Sequence, residues 1–216
     1  WKHARRFARA SAEIMARDIA PRPHGLAAPL VVSLTSYPAR FPHLHLVLRS
    51  LLAQTLRPDR VILWLTRDDA ARLPDSARLP GLEIAICPDW RSYKKIVPTL
   101  LEAPDANIVT ADDDVYYHAD WLETLVARAD AGVVAHRAHR VTLQDGRPRD
   151  YDDWQRNIAT PETGPLIFPT GVGGVLTWIA GRLRRRGSFS ASAAVSRGCE
   201  SVLRKVGSCR ECVFCQ

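Results

Sequence analysis

Cysteine is nearly missing from most of this chain. Of five cysteines in 216 residues, Cys87 stands alone in the body, while Cys199, Cys209, Cys212 and Cys215 crowd into the tail. One cysteine with apolar neighbours excludes a disulfide framework for the body and points to a reducing compartment. An excess of either charge is also missing before Thr177. The chain as a whole carries +7, but eight of its 30 basic residues and two of its 23 acidic residues follow Leu176. The residues before that point hold 22 basic and 21 acidic side chains. The body therefore offers no electrostatic case for a nucleic-acid partner. Residues 1–20 hold no continuous apolar region and are therefore not expected to be a secretory signal peptide. Thr163–Gly181 is uncharged and long enough to span a bilayer. Its two prolines and five glycines fit a core strand and a loop better. The chain opens on Trp1 with no initiating methionine, so its start is expected further upstream.

What is present reads as one soluble α/β domain. An apolar content of 46% and a charged content of 25% are those of an ordinary globular protein of this size. Residues 1–20 set Lys2, Arg5, Arg6 and Arg9 beside Phe7, Ile14, Met15 and Ile19, an amphipathic helix expected to pack on the domain. Lipid contact through its apolar face is the alternative. After the break PRPHG, the run LVVSL (Leu30 to Leu34) reads as a first strand. PHLHLVLRSLLAQTL, with apolar residues at helical spacing, is a helix closed by Pro58. RVILWL and LEIAI are the next strands, separated by the loop TRDDAARLPDSARLPG. YKKIVPTLLEA begins a helix and NIVTA is a fourth strand. DWLETLVARA is a helix, GVVAHRAHRV a strand, and LIFPTGVGGVL an apolar segment whose glycines imply a close backbone approach. This order predicts a mostly parallel sheet with helices on both faces.

In such sheets ligands bind beyond the carboxyl ends of the strands. The unusual polar clusters TSYPAR, TRDD, CPDWRSYKK and ADDD all fall there. Asp112, Asp113 and Asp114 follow a buried-looking strand and require water, a basic partner or a metal ion. In an extended segment alternate side chains share a face. Asp112 and Asp114 could then converge on one divalent ion while Asp113 points elsewhere. A solvated turn capping the helix near Ala119 is the other reading. Lys94 and Lys95 either meet a diphosphate or form a solvated helix start. His136, Arg137, His139 and Arg140 line either a cleft or a plain surface strand.

SLTSYPAR, SLLAQTLRPDRVILWL, DWRSYKK, IVTADDDVYY, HRAHR and FPTGVGGVL, in that order, resemble a bacterial family-2-like glycosyltransferase of the GT-A fold. The resemblance divides the chain into an N-terminal helix and linker (1–27), a GT-A-like domain (28–176) and a basic, cysteine-containing tail (177–216). It implies that Thr35 and Tyr37 border the nucleotide and that Asp89 with Lys94 or Lys95 faces base or phosphates. It further implies that Asp112 and Asp114 form a DxD-type metal site with Asp113 beside the sugar-nucleotide, and that Gly173 and Gly174 line the donor sugar or acceptor. The implied cofactor is Mn²⁺ or Mg²⁺. The implied donor is a nucleotide-sugar, UDP-sugar foremost, and the acceptor is a glycan, lipid or protein hydroxyl. No residue is assigned as the base. The implied setting is the cytoplasm, with peripheral contact at the inner membrane. Two other readings stay open: a nucleotidyltransferase and an inactive nucleotide-sugar-binding remnant. Such proteins continue past GVGGVL with another acidic stretch. Here the text turns to Arg, Ser, Gly, Ala and Cys, resembling out-of-frame translation, and is expected to be poorly ordered. Cys209, Cys212 and Cys215 would need a fourth ligand to hold zinc or an iron–sulfur centre.

Overall fold

A computed structural model describes residues 2–178 and 212–214. Strand β1 (Leu30–Thr35) runs through the middle of the sheet and is buried from Leu30 to Leu34. β2 (Arg60–Leu65) pairs parallel to one edge of β1, and β3 (Leu82–Ile86) pairs parallel to β2 beyond it. β4 (Asn107–Thr110) pairs parallel to the other edge of β1. Among the described residues β3 has a neighbouring strand on one side only, and its residues are partly exposed.

Side chains alternate along β1 and sort into two layers. Leu30, Val32 and Leu34 pack with α2 (Phe41–Leu52) and α5 (Trp121–Val126), through Leu44, Val47, Leu48, Leu51, Leu122 and Leu125. Val31 faces the other way with Ile62, Trp64 and Ile108, covered by Ile96 and by Leu100 of α4 (Val97–Glu102). Pro98 sits in the first turn of α4, where a missing N–H breaks no helical bond. Ser33, Thr99 and the Trp64 indole satisfy one another inside this second layer, at 2.8 Å each. Both faces of the sheet are covered, and the chain is an α/β protein with a mostly parallel sheet.

Beyond β4 the direction reverses. β8 (Val175–Trp178) lies antiparallel between β4 and β5 (Val133–Ala135). Among the described residues the order across the sheet is Thr163–Gly164, β9 (Cys212–Phe214), β5, β8, β4, β1, β2, β3. Of the tail (177–216), the described residues are Thr177 and Trp178, which end β8, and β9, which pairs parallel to β5. The expectations for Cys209 and Cys215 lie outside the described residues.

Three expectations need correction. GVVAHRAHRV is two strands, because the chain leaves the main sheet at His136 and re-pairs. β6 (Ala138–Arg140) joins β7 (Ile167–Pro169) in a separate antiparallel ribbon. The segment after β2 is no simple loop: Thr66 accepts a hydrogen bond from Asp69 N and caps the short helix α3 (Arg67–Ala71). The helix α2 stops at Leu52 rather than running to Pro58, and Leu56–Arg57 pairs instead with Arg22–Pro23. Among the described residues no helix is long and apolar enough to cross a membrane. The described part of the uncharged stretch supplies β7, a glycine loop and β8. The helix α1 (Lys2–Ala16) packs on the domain: Ile14 is buried, Phe7 meets His43 and Tyr116, and Arg49 donates to the carbonyls of Ile14 and Met15.

Candidate functional site

The chain winds outward from β1 to β2 to β3 and then returns to place β4 on the opposite side of β1. The crevice where such an order reverses is the habitual ligand site of open α/β sheets. Here it falls between the carboxyl ends of β1 and β4, and the polar groups converge on it. Ser36, just past β1, donates to Asp113 Oδ2 at 2.6 Å, just past β4. Arg40, at the entrance to α2, donates to Asp114 Oδ2 at 2.7 Å. Lys95 donates to Asp112 Oδ1 at 2.5 Å from the other side of the sheet. Each acid of the triplet thus has its own partner. Burial raises the Asp113 carboxyl above the usual range, with the Ser36 hydroxyl and Arg40 opposing the shift.

The extended geometry expected at the acids is not found. β4 ends at Thr110, and Asp113–Asp114 lie in a turn. Asp112 leans to Lys95 and Asp114 to Arg40. The turn is held from below by polar groups buried in an otherwise apolar layer. Asp112 N donates to the Tyr117 hydroxyl at 2.8 Å, and Tyr117 N donates to Ser50 Oγ. Gln54 donates to the carbonyls of Ser50 and His118 and accepts from Leu122 N. Ser50, Gln54 and Tyr117 were not among the sequence candidates. Ser50 and Gln54 signal themselves only as polar residues within or just past the apolar face of α2.

The two lysines separate. Lys95 belongs to the acids, whereas Lys94 is 5% exposed and lies between Asp69 and Asp89, at 3.7 and 3.6 Å. Asp89 also accepts from Arg91 N, and that bond, with Lys94, lowers its carboxyl. Asp69 and Asp89 border an open cleft with Thr66, Ile86 and Cys87, at the carboxyl ends of β2 and β3. Cys87 is buried there, and burial pushes its thiol up. Thr35 spends its hydroxyl on the Trp64 carbonyl at 2.7 Å, tying β1 to β2. Tyr37 is exposed on the loop between, its hydroxyl accepting from Arg40 Nε at 3.3 Å.

The glycine loop closes the remaining side. Because β8 is antiparallel, its beginning lies beside the end of β4, with Val175 opposite Thr110. Gly171 is so near Lys95 that an added Cβ would sit 3.3 Å from Nζ. The close approach expected at the glycines is met by Trp121: its Nε1 donates to Gly173 O at 2.6 Å, and a Cβ on Gly174 would lie 2.5 Å from the indole. Gly174 also has φ of +101°, which a side chain would disfavour. His136, expected at a cleft or surface, is half-buried. Its Nε2 lies 3.0 Å from Thr124 Oγ1 and 3.1 Å from Trp121 O, and burial lowers its pKa.

Among the described residues no group of three or more histidines, cysteines or carboxylates could hold a metal ion. Asp112 and Asp114 are two hard oxygen donors, each engaged by a cation through one oxygen. They turn to different partners, so protein alone does not assemble a cation site from them, and an ion there would have to draw its other ligands from a diphosphate and water.

No family model matches the chain, and no curated protein matches it. Similar solved structures include a 4-diphosphocytidyl-2C-methyl-D-erythritol synthase, at 16% identity and a TM-score of 0.48, covering 88% of this chain and 90% of that one. A protein named mannose-1-phosphate geranyltransferase, from Thermus thermophilus, is 16% identical with a TM-score of 0.47, covering 87% of this chain and 72% of that one. A CMP:2-keto-3-deoxy-manno-octonic acid synthetase complexed with CTP is 13% identical with a TM-score of 0.46, covering 86% and 88%. At these scores the likenesses carry no argument about the reaction of this chain.

Proposed function

We propose that this chain is a glycosyltransferase of the GT-A type that binds a nucleotide-diphosphate sugar, UDP-sugar foremost, in the crevice between β1 and β4. The observation that carries the reading is the set of three pairs at that crevice, Ser36–Asp113, Arg40–Asp114 and Lys95–Asp112. It brings three acids and two cations to the point where an α/β sheet receives a ligand. A divalent ion would be held by Asp112 and Asp114 together with the diphosphate. When bound, Mn²⁺ or Mg²⁺ supplies neutralisation of the departing diphosphate.

The residues of the chain do the rest. Lys95 and Arg40 lie on the acids and can turn to phosphate oxygens, as charge-assisted donors do. Ser36 holds Asp113 in place at the floor of the crevice. Gly171–Gly174 forms the wall nearest Lys95, against which the donor sugar would lie. In the reaction an acceptor hydroxyl attacks the anomeric carbon, the bond from that carbon to the diphosphate oxygen breaks, and the hydroxyl proton passes to a base. The loop after β1 contains no glycine, so it lacks the backbone cradle that glycine-rich loops offer a triphosphate. This favours glycosyl over nucleotidyl transfer.

Calorimetry of UDP with and without Mn²⁺ tests the site. Asp114→Asn is expected to abolish Mn²⁺-dependent binding while the thermal midpoint stays within a few degrees, because the exposed Arg40–Asp114 pair contributes little to stability. Unchanged binding would remove the metal-site reading. Incubation with a UDP-sugar and acceptors, against CTP with a sugar phosphate, tests the reaction. Free UDP supports glycosyl transfer, pyrophosphate supports nucleotidyl transfer, and binding without either product supports an inactive remnant.

A further inference from the structure

One face of the β6–β7 ribbon is aromatic. Phe168 of β7 lies opposite His139 of β6, so the two side chains share a side. Tyr151 and Trp154 pack beside them, from the segment that pairs with β6 through Arg140 and Gln155. The rings of Trp154 and Phe168 are 5.2 Å apart, those of Tyr151 and Trp154 5.1 Å, and those of Tyr151 and His139 5.7 Å. His139 is buried at the base, its Nδ1 accepting from Asn157 N. Tyr151 and Phe168 stay 47% and 39% exposed, and Trp154 is half-buried. Scattered exposed apolar residues need no explanation, but rings gathered into one patch do.

The rim of the patch is polar and balanced. Residues 147–156 hold three arginines and three aspartates. Arg149 pairs with Asp153 at 3.0 Å, and Arg156 pairs with Asp152 while lying over the Tyr151 ring. Arg137 donates to Asn157 Oδ1 at 2.7 Å. Carboxylate, guanidinium and amide groups around flat rings suit a ligand with an apolar face and a margin of hydroxyls. A sugar ring has that surface. The absence of net charge at the rim argues against a phosphate or an acidic peptide. The patch is also small: three part-exposed rings present roughly 200–300 Å², against the ~800 Å² that a protein partner covers.

The patch adjoins the crevice. Phe168 precedes Gly171 by three residues, no more than about 11 Å of chain, and Gly171 is the glycine beside Lys95. Thr170 N donates to Arg137 O at 3.0 Å and fastens the glycine loop to the ribbon. A ligand seated on the rings therefore continues the wall of the crevice. We propose that Tyr151, Trp154 and Phe168 form a saccharide subsite that holds a neutral sugar ring of the acceptor. The role as acceptor rests on the proposed glycosyl transfer, whereas the binding itself is read without nucleotide.

The test titrates the whole chain with maltotetraose, cellotetraose and N-acetylated chitotetraose, read by saturation-transfer NMR in the absence of UDP and Mn²⁺. Binding of at least one of these sugars is expected, with transfer concentrated on its ring C–H protons. Phe168→Leu keeps apolar bulk and removes the flat face. It is expected to weaken that binding roughly three- to tenfold, the size of one lost aromatic contact. Phe168→Tyr keeps the ring and is expected to bind as the wild type does. Near-ultraviolet circular dichroism checks that both variants are folded. No binding of any of the sugars by the wild type, full binding by Phe168→Leu, or loss in Phe168→Tyr would each overturn the proposal. So would a dimer in sedimentation that Phe168→Leu dissociates, because the patch then belongs to a second copy of the chain. Calorimetry of UDP keeps the two readings apart. Sugar binding by a wild type that fails to bind UDP would remove the proposed reaction and leave the subsite standing.

Discussion

Lys94 and Lys95 are neighbours in sequence and belong to different clusters in the fold. The sequence leaves them interchangeable, because nothing local says which turns toward Asp112 and which inserts between Asp69 and Asp89. The helical turn Arg91–Lys95 decides it. Lys95→Met is expected to weaken UDP binding by about 10- to 100-fold and uridine binding little, reflecting loss of a charge-assisted contact of roughly 1.5–3 kcal/mol. Lys94→Met should instead lower stability by about 1 kcal/mol or more in urea, because the partly buried Asp69 loses a cation. Equal loss of both ligands with Lys95→Met would place that residue outside the phosphate contacts. His136 gives a pH signature. Burial holds its folded pKa below the unfolded value, so the unfolded chain binds the proton first. Stability linked to this group is present above the unfolded value, near 6.5, and is lost as pH falls through it toward the folded value. Urea titrations from neutral to mildly acidic pH should show a steeper acid-side loss in the wild type than in His136→Gln.

At the level of elements, the glycine loop is the part most sensitive to a single atom. Gly174→Ala adds a Cβ against the indole of Trp121 and demands a positive φ of a residue with a side chain. Either the ring or the loop must shift. UDP affinity is expected to fall about tenfold or more and the thermal midpoint to drop by several degrees, following the roughly 1–3 kcal/mol of overpacking and strain. Gly146→Ala, at positive φ with open space around it, serves as the control for backbone strain alone. Matching losses in both would show that contact with Trp121 is not what matters. The sequence announces that these glycines meet something but not what they meet. Trp121 lies fifty-two positions earlier, on a helix that reads as ordinary core. The acids were legible for the opposite reason: three carboxylates after an apolar run are anomalous on their own. Their partners were not, since Ser36 and Arg40 sit in a turn whose composition fits any exposed loop. The strands β1, β2 and β4 were legible from continuous apolar runs, which only a sheet covered on both faces supports. GVVAHRAHRV misled because apolar and polar residues run through it unbroken, while its partner changes midway.

For the molecule as a whole, the order of the strands in space differs from their order in the chain at one decisive place. β8 is wedged between β4 and β5, although both were made earlier. During synthesis the parallel group β1 to β4 can assemble as soon as Thr110 has emerged, yet one side of β4 then stays unpaired until residues 175–178 arrive. An open strand edge of this kind, NIVT, invites pairing with a neighbouring chain. Ribosome-bound intermediates between residues 111 and 174 are therefore the stage at which this protein is most exposed to misassembly. The same late strand that protects the edge carries the glycine loop to Lys95, so the crevice and the shield of the sheet are completed in a single event.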